Sequence, residues 1–262
     1  MKVRYGHSLP CPRCAREAMF YRRVKRPAYT CEFCGFDINP MAGTLFHRSR
    51  TALRKWFYAI FLFASSRHGV PARELQRQLG VTLKTAWRMG HEIRKYIGAV
   101  DGDDDLGGHV EVDETMIGGK RKGGKRGRGA PGKTVVPGML ERAGNVMTRV
   151  VGNVRRTTLE AVILEKIKRG TTISTDEFQS YAKLACHGYR HGTVNHSLNE
   201  FARGPIHVNS LEGFWSQLKR SIRGTHVHVS ARHLGEYLGE FKFLYNPRKA
   251  PHLMFPRLVL SF

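Results

Sequence analysis

The sequence predicts an α/β protein in three successive parts: a cysteine-rich module, a helical module and a larger domain of mixed strands and helices. Three observations carry that reading. Two Cys-x-x-Cys pairs stand near the start, apolar residues recur at three- and four-residue steps from Thr51 to about Gly98, and alternating strand patterns begin at His109. A length of 262 residues suffices for one mid-sized domain and one or two small ones.

The first part turns on Cys11-Pro12-Arg13-Cys14 and Cys31-Glu32-Phe33-Cys34, with sixteen residues between the pairs. Each pair can bend two thiolates toward one ion, and the intervening segment is long enough for a hairpin that brings the pairs together. Met19, Phe20, Tyr21, Tyr29 and Thr30 suit strands, and Gly35 follows the second knuckle. A zinc ribbon over residues 1–45 is the expectation, with structural Zn²⁺ on Cys11, Cys14, Cys31 and Cys34. The opening Met-Lys-Val-Arg-Tyr-Gly-His has no apolar signal core, so a cytoplasmic protein with reduced thiols is expected. Cys186 stands alone and reads as a small core residue.

The second part, residues 46–100, opens with an amphipathic stripe of Leu53, Trp56, Phe57, Ile60, Phe63 and Ala64. Its longest apolar run, Trp56 to Ala64, is nine residues, too short to span a membrane. Pro71 then opens a short helix carrying Leu75 and Leu79, Gly80 breaks it, and Thr82 is placed to cap a longer one with Ala86, Trp87, Met89, Ile93, Tyr96 and Ile97. Helix, glycine turn and capped helix outline a helix-turn-helix. Lys84, Arg88 and Arg94 are expected on its solvent face, the first two against DNA.

Charge points the same way. Lys and Arg number 44 against 21 Asp and Glu, a formal net charge of +23. Such a charge repels itself in a compact chain and is best used against a polyanionic partner.

A linker is expected over 101–108, Asp101 to Gly108, and the third part over 109–262. Strands are predicted at His109–Thr115, Thr134–Leu140, Val146–Val151 and Thr171–Thr175, and helices at Leu159–Ile167, Glu177–Cys186 and from Asn209 through Ile222. The first three strands can form a meander within a mixed sheet flanked by helices. Gly118 to Lys133 holds seven Lys or Arg, seven Gly and no acid, so it reads as a solvated loop that can follow phosphates, with Lys120, Arg121, Lys122, Lys125, Arg126 and Arg128 as contacts.

Three acids stand out in this part, each with a plain structural reading. Asp113 is on the polar face of the first strand with His109, Glu111 and Thr115 and could simply face water. Asp176 ends a strand and could be an N-cap. Thirty-five residues separate it from Glu212, which could close a capping box with Asn209. Glu212, Ser216 and Lys219 share one polar ridge opposite Leu211, Phe214, Trp215 and Leu218.

The wording around the acids is more specific than their spacing. Glu111-Val112-Asp113-Glu114-Thr115 with Ile117-Gly118-Gly119, Thr175-Asp176-Glu177-Phe178-Gln179-Ser180-Tyr181, and His207-Val208-Asn209-Ser210-Leu211-Glu212-Gly213-Phe214-Trp215 form one set. Leu218-Lys219-Arg220 and Glu240-Phe241-Lys242-Phe243-Leu244-Tyr245-Asn246 continue it. From Cys11 to about Asn246 the chain resembles bacterial insertion-sequence transposases of the DDE type with an N-terminal zinc ribbon, relatives of the Merlin transposases. The resemblance implies a ribonuclease-H-like catalytic domain behind the ribbon and the helix-turn-helix. It implies Mg²⁺ (or Mn²⁺) on Asp113, Asp176 and Glu212, DNA cleavage and strand transfer, and a homodimer or larger assembly on transposon ends and target DNA in the bacterial cytoplasm at the nucleoid. Members of the group carry Glu or Asn at the third position, and both Glu212 and Asn209 are present. Glu212 is favoured because a carboxylate binds a hard ion better than an amide. Lys219 and Arg220 would contact phosphate near the cut. His187, His191, His196, His207, His226 and His228 read as DNA-contacting or structural, since Mg²⁺ prefers oxygen. The rival reading is a DNA-binding regulator with a degenerate nuclease-fold domain, and a third is a metal-dependent nuclease without strand transfer. The presence of all the acids weighs against decay.

Overall fold

In the computed structural model, residues 8–26, 28–100, 105–118 and 132–261 are described. The N-terminal module is built from short antiparallel strands because each Cys-x-x-Cys knuckle needs a tight turn beside it. Ala15 and Gly35 supply the positive φ at those turns, 57° and 69°. Strands β1 (Leu9–Pro10) and β2 (Glu17–Ala18) pair around the first knuckle, and β3 (Phe20–Arg22), β4 (Tyr29–Cys31) and β5 (Asp37–Ile38) form a second sheet. Among the described residues of this module the buried cluster is Cys11, Ala18 and Cys31, so the module shows little apolar core of its own.

Three helices follow where the periodicity predicts them: α1 (Leu53–Ser65), α2 (Ala72–Leu79) and α3 (Leu83–Val100). Pro71 precedes α2, and Gly80 ends it in the left-handed conformation with its N–H on the Gln76 carbonyl, 3.0 Å. The Thr82 hydroxyl accepts the Thr85 N–H at 3.3 Å, which supplies the start of α3. Two side chains depart from the helical-wheel reading. Arg94, expected in solvent, is buried, and Trp87, expected inside, is 48% exposed. The cause is a second layer. Helices α6 (Leu234–Tyr245) and α7 (Met254–Leu260), for which the sequence patterns gave no signal, return from the far end of the chain. Phe243, Met254 and Leu258 join Trp56, Ile60, Phe63, Leu75, Met89 and Ile93 in one core. Arg94 meets Glu240 of α6 at 2.7 Å and the Val70 carbonyl at 2.7 Å.

The third part is a five-stranded mixed sheet in the order β10-β9-β6-β7-β8. Strands β6 (His109–Ile117), β7 (Thr134–Glu141) and β8 (Val146–Thr148) make the antiparallel meander. Strands β9 (Thr172–Thr175) and β10 (Arg190–Thr193) continue in parallel on the other side of β6. Helix α4 (Arg156–Lys166) covers one face, seating Leu159, Val162 and Ile163 on Val110, Val112 and Ile173. Helix α5 (Asn209–Ser221) covers the other, with Leu211, Phe214, Trp215 and Leu218 over Val136, Leu140 and Val146. Trp215 lies so close to β7 that a Cβ on Gly138 would meet its ring at 2.4 Å, which is why a strand interior tolerates glycine there.

Three expectations change in this part. No α-helix forms over 177–186; two 3₁₀ turns, Gln179–Tyr181 and Leu184–His187, bury Tyr181 and Leu184 instead. Cys186 sits on the second turn and is exposed rather than in the core. Within the expected linker, Leu106 is buried and exchanges backbone hydrogen bonds with Lys166 and Lys168, because it extends the core beside Ile167. Among the described residues no helix is long and apolar enough to cross a membrane.

Candidate active site

Alternation on β6 sends Val110 and Val112 to the α4 side and Glu111 and Asp113 to the α5 side. That second face is not open to water, as one plain reading of Asp113 had it; α5 lies across it. Glu111 is wholly buried. Its Oε2 accepts the N–H groups of Ser210 and Leu211 at 2.9 and 3.0 Å, and its Oε1 meets Arg142 at 3.1 Å and His207 at 3.3 Å. These N–H groups belong to the first turn of α5, which lacks a local side-chain cap because Val208 occupies the N-cap position. Glu111 therefore supplies from the sheet what a helix start needs: an acceptor and a negative charge.

Two residues on, Asp113 accepts a hydrogen bond from the indole N–H of Trp215 at 3.1 Å. Strand β9 runs parallel to β6 with Glu111 beside Ser174, and continuing that register brings Asp113 alongside Asp176. The Asp176 Oδ1 accepts the Phe178 N–H at 3.0 Å, which fixes the turn that leaves β9. Burial, Glu114, Asp176 and Glu212, in that order of importance, push the Asp113 carboxyl up to about 7. Glu212 stands on the exposed side of α5, its Oε1 3.8 Å from His196 Nδ1. Lys219 is half-buried two turns along. Burial pulls its ammonium below the ordinary value, the Asp113 charge pulls it back up, and Arg223 and Lys133 pull it down.

The fold thus brings Asp113, Asp176, Glu212 and Lys219 into one electrostatic neighbourhood at one end of the sheet. Asn209 is exposed in the first turn of α5 and forms no capping box with Glu212, whose N–H instead goes to the Val208 carbonyl at 3.0 Å. Among the described residues Asp113, Asp176 and Glu212 are not one of the donor groups that converge within 4.8 Å. Their carboxylate oxygens are of the type that suits a hard divalent cation such as Mg²⁺ or Mn²⁺, whose charge would offset the repulsion that adds to burial in raising Asp113.

The sulfur atoms of Cys11, Cys14, Cys31 and Cys34 converge within 4.8 Å of one another, with Cys11 and Cys34 3.5 Å and Cys14 and Cys31 4.0 Å apart. A tetrahedral zinc with 2.3 Å bonds needs sulfurs about 3.8 Å apart, so the four thiols fit that ion. Lys84 and Arg88 are both exposed on α3, Arg88 also donating to the His47 carbonyl at 3.0 Å. Arg220, exposed on α5, lines a groove with Arg67, His68 and Arg248. Lys120, Arg121, Lys122, Lys125, Arg126 and Arg128 lie outside the described residues.

Sequence reasoning missed the roles of Glu111 and Trp215. A signal existed for Glu111, since it shares a strand face with Asp113. For Trp215 there was none, because an indole in an apolar stripe reads as core. Tyr181 was also missed; its hydroxyl donates to the buried Glu114 at 2.7 Å. Two of the histidines read as structural are so engaged: His191 with Thr175 at 2.9 Å and His207 with Glu111.

Residues 105–246 match a protein-family model described as the ISXO2-like transposase domain. A protein of the transposable element ISH50 from Halobacterium salinarum is 27% identical over 92% of this chain and 86% of its own length. A transposase-like protein from Haemophilus influenzae is 34% identical over 38% of this chain and 80% of its own length.

Proposed function

The chain belongs to the ISXO2-like transposase family, and from that premise we propose that it is a metal-dependent DNA transposase that cleaves at terminal inverted repeats and joins the freed ends to target DNA. One observation carries the chemistry: the half-buried Asp113 carboxyl, alongside Asp176, is raised to about 7 first by burial and then by the charges of Glu114, Asp176 and Glu212. Mg²⁺ or Mn²⁺ ions bound there would offset the charge that builds on the attacking and leaving oxygens of an in-line displacement at phosphorus.

The chain's own residues do the remaining work. Asp113, Asp176 and Glu212 provide the oxygen ligands. The Trp215 indole fixes the orientation of Asp113, and Glu111 locks the start of α5 against β6, so Glu212 cannot drift from the strand that carries its partner. Lys219 places a cation beside Asp113, suited to a phosphate next to the cut. Recognition of the repeats falls to the zinc ribbon and a helix-turn-helix made by α2 and α3, with Lys84 and Arg88 on phosphates, and to the basic, glycine-rich sequence 118–133. Two DNA ends would be held by a dimer or larger assembly.

An oligonucleotide carrying the element's inverted repeat tests this. In Mg²⁺ the wild type is expected to nick and join it, while Asp113→Ala and Asp176→Ala bind with similar affinity and give no product. A wild type that binds but neither cuts nor joins would favour the regulator reading, and cutting without joining the nuclease reading. Affinity should fall steeply with salt, with a slope near −7 in log–log form if about eight phosphates are neutralised.

A further inference from the structure

Helices α3 and α6 meet through a group of side chains that the transposase reading does not use. His91 of α3 is buried, and its Nδ1 contacts Oε2 of Glu236. His233, just before α6, places its Nδ1 3.7 Å from the other oxygen of the same carboxylate. The three donor atoms all lie within 4.8 Å of one another. Two imidazoles thus converge on the two oxygens of one carboxylate. His233 and Glu236 are three residues apart, which puts both on one face of the same turn.

We propose that His91, His233 and Glu236 form a second metal site, built for a borderline divalent ion such as Zn²⁺, that clasps α3 to α6. The chemistry of the donors selects the ion. Two nitrogens and one carboxylate suit Zn²⁺, with bonds of about 2.0–2.2 Å and donors roughly 3.3 Å apart, whereas Mg²⁺ prefers an all-oxygen shell. The separation at His233 is a few tenths of an ångström beyond that figure and too long for a hydrogen bond, so a bridging cation would supply a link that the side chains do not make directly.

The surroundings support the same occupant. The His91 ring is held between Trp87 and His233, with ring centres 4.0 and 4.5 Å away, and His233 also meets the Trp87 edge at 5.7 Å. This stacking fixes the imidazole that faces Glu236. Burial keeps His91 below its ordinary value against the pull of Glu236, the direction that favours a neutral ring with a lone pair to offer. The nearest buried cation, Arg94, is paired with Glu240 and so is largely neutralised. His233 and Glu236 are partly exposed, which leaves one side of the site open for a water molecule as fourth ligand. On binding, neutral His91 gives its Nδ1 proton to water and takes one from water at Nε2, a change of tautomer with no net proton released, and the freed Nδ1 lone pair faces the ion beside the Glu236 carboxylate.

The test uses the full chain, purified without chelator and reconstituted with Zn²⁺ or Co²⁺. Two equivalents per chain are expected beyond any taken up by the acids of the active site, a share that Asp113→Ala removes. One, on the four cysteines, shows thiolate-to-Co²⁺ charge transfer; the other shows only the weak visible bands of a nitrogen and oxygen site. Glu236→Gln preserves the size and a hydrogen bond to His91, and His233→Ala alters a partly exposed position. Both should lose the non-thiolate equivalent while keeping the thiolate one, and the metal-dependent rise in melting temperature should shrink with it. A wild type that takes up only the thiolate-bound ion overturns the proposal. Retention of the second equivalent by both variants overturns it equally, since the ion would then sit elsewhere.

Discussion

Glu111 and Asp113 sit two residues apart on the same face of one strand, under the same helix, yet the chain treats them in opposite ways. Glu111 accepts from two backbone N–H groups and Arg142, with the His207 ring 3.3 Å from its Oε1. Asp113 receives the Trp215 indole N–H and a backbone hydrogen bond at Glu114, and Lys219 is near it without forming an ion pair, while burial and three other acids press on it. A carboxylate whose task is architectural has its charge cancelled by the fold. One whose task is to hold a cation is left uncancelled, and its raised pKa is the cost. Glu240, wholly buried with Arg94 and the Val70 N–H, belongs with Glu111 by its partners; burial raises its carboxyl too, but Arg94 and the Val70 N–H pull against that, whereas at Asp113 neighbouring acids add to it.

Removing a satisfied acid should therefore have the largest effect on stability. Glu240→Ala strands Arg94 in the core, and Glu111→Ala strands Arg142 and the first turn of α5. Each is expected to cost about 3–5 kcal/mol, the usual penalty for breaking one side of a buried pair. Urea denaturation measures it. A loss under about 1 kcal/mol for both would break the comparison, because these acids would then be no better supported than Asp113. For Glu111→Gln, which keeps an acceptor for the helix N–H groups, a smaller loss is expected.

Asp113→Asn should have the opposite sign. The folded-state pKa, about 7, lies above the ordinary 3.8, so the folded chain binds this proton more tightly than the unfolded chain. Without divalent cation, Asp113 then destabilises the fold fully above pH 7, and the penalty fades as pH falls toward 4. Asparagine removes the charge and keeps an oxygen for Trp215. Relative to wild type in Mg²⁺-free buffer, Asp113→Asn is expected to be more stable by on the order of 2–4 kcal/mol at pH 8 and about equal at pH 4. A variant less stable than wild type at pH 8 would show that Asp113 is satisfied after all.

The contrast also explains what the sequence could and could not tell. Period and caps gave α1, α2 and α3 because Pro71, Gly80 and Thr82 act locally, and alternation gave β6, β7 and β9 for the same reason. The acids were legible as a set through the residues around them. What escaped depends on contacts between distant segments. Arg94 reads as a solvent-facing cation until α6 covers it, and Glu111 reads as a surface acid until the start of α5 arrives ninety-nine residues later. Residues 177–186 carry a helical pattern but fold as 3₁₀ turns, because Asp176 and Phe178 fix the exit from β9 and Tyr181 turns inward to Glu114. No local rule contains those partners.

The smallest expected effect sharpens the comparison most finely, because it concerns the acid that neither class describes. Glu212 is half exposed, and among the described residues its one ion-pair partner is His196, at 3.8 Å. Water already screens such a charge, so Glu212→Gln should change stability by no more than about 0.5 kcal/mol at either pH 8 or pH 5. A capping-box glutamate would behave differently, since losing a cap costs about 0.5–2 kcal/mol, but here the first turn is held by Glu111 and not by Glu212. Cleavage, by contrast, should be lost in Glu212→Gln if its carboxylate completes the oxygen set with Asp113 and Asp176. Asn209→Ala is the matched control, one turn earlier on the same helix, and should keep its activity. Melting curves and cleavage assays on the two variants side by side decide the matter. Loss of cleavage without loss of stability in Glu212→Gln identifies an acid kept for chemistry. The reverse pattern, with Asn209→Ala inactive and Glu212→Gln merely less stable, would move the third ligand to Asn209 and place Glu212 with the architectural acids.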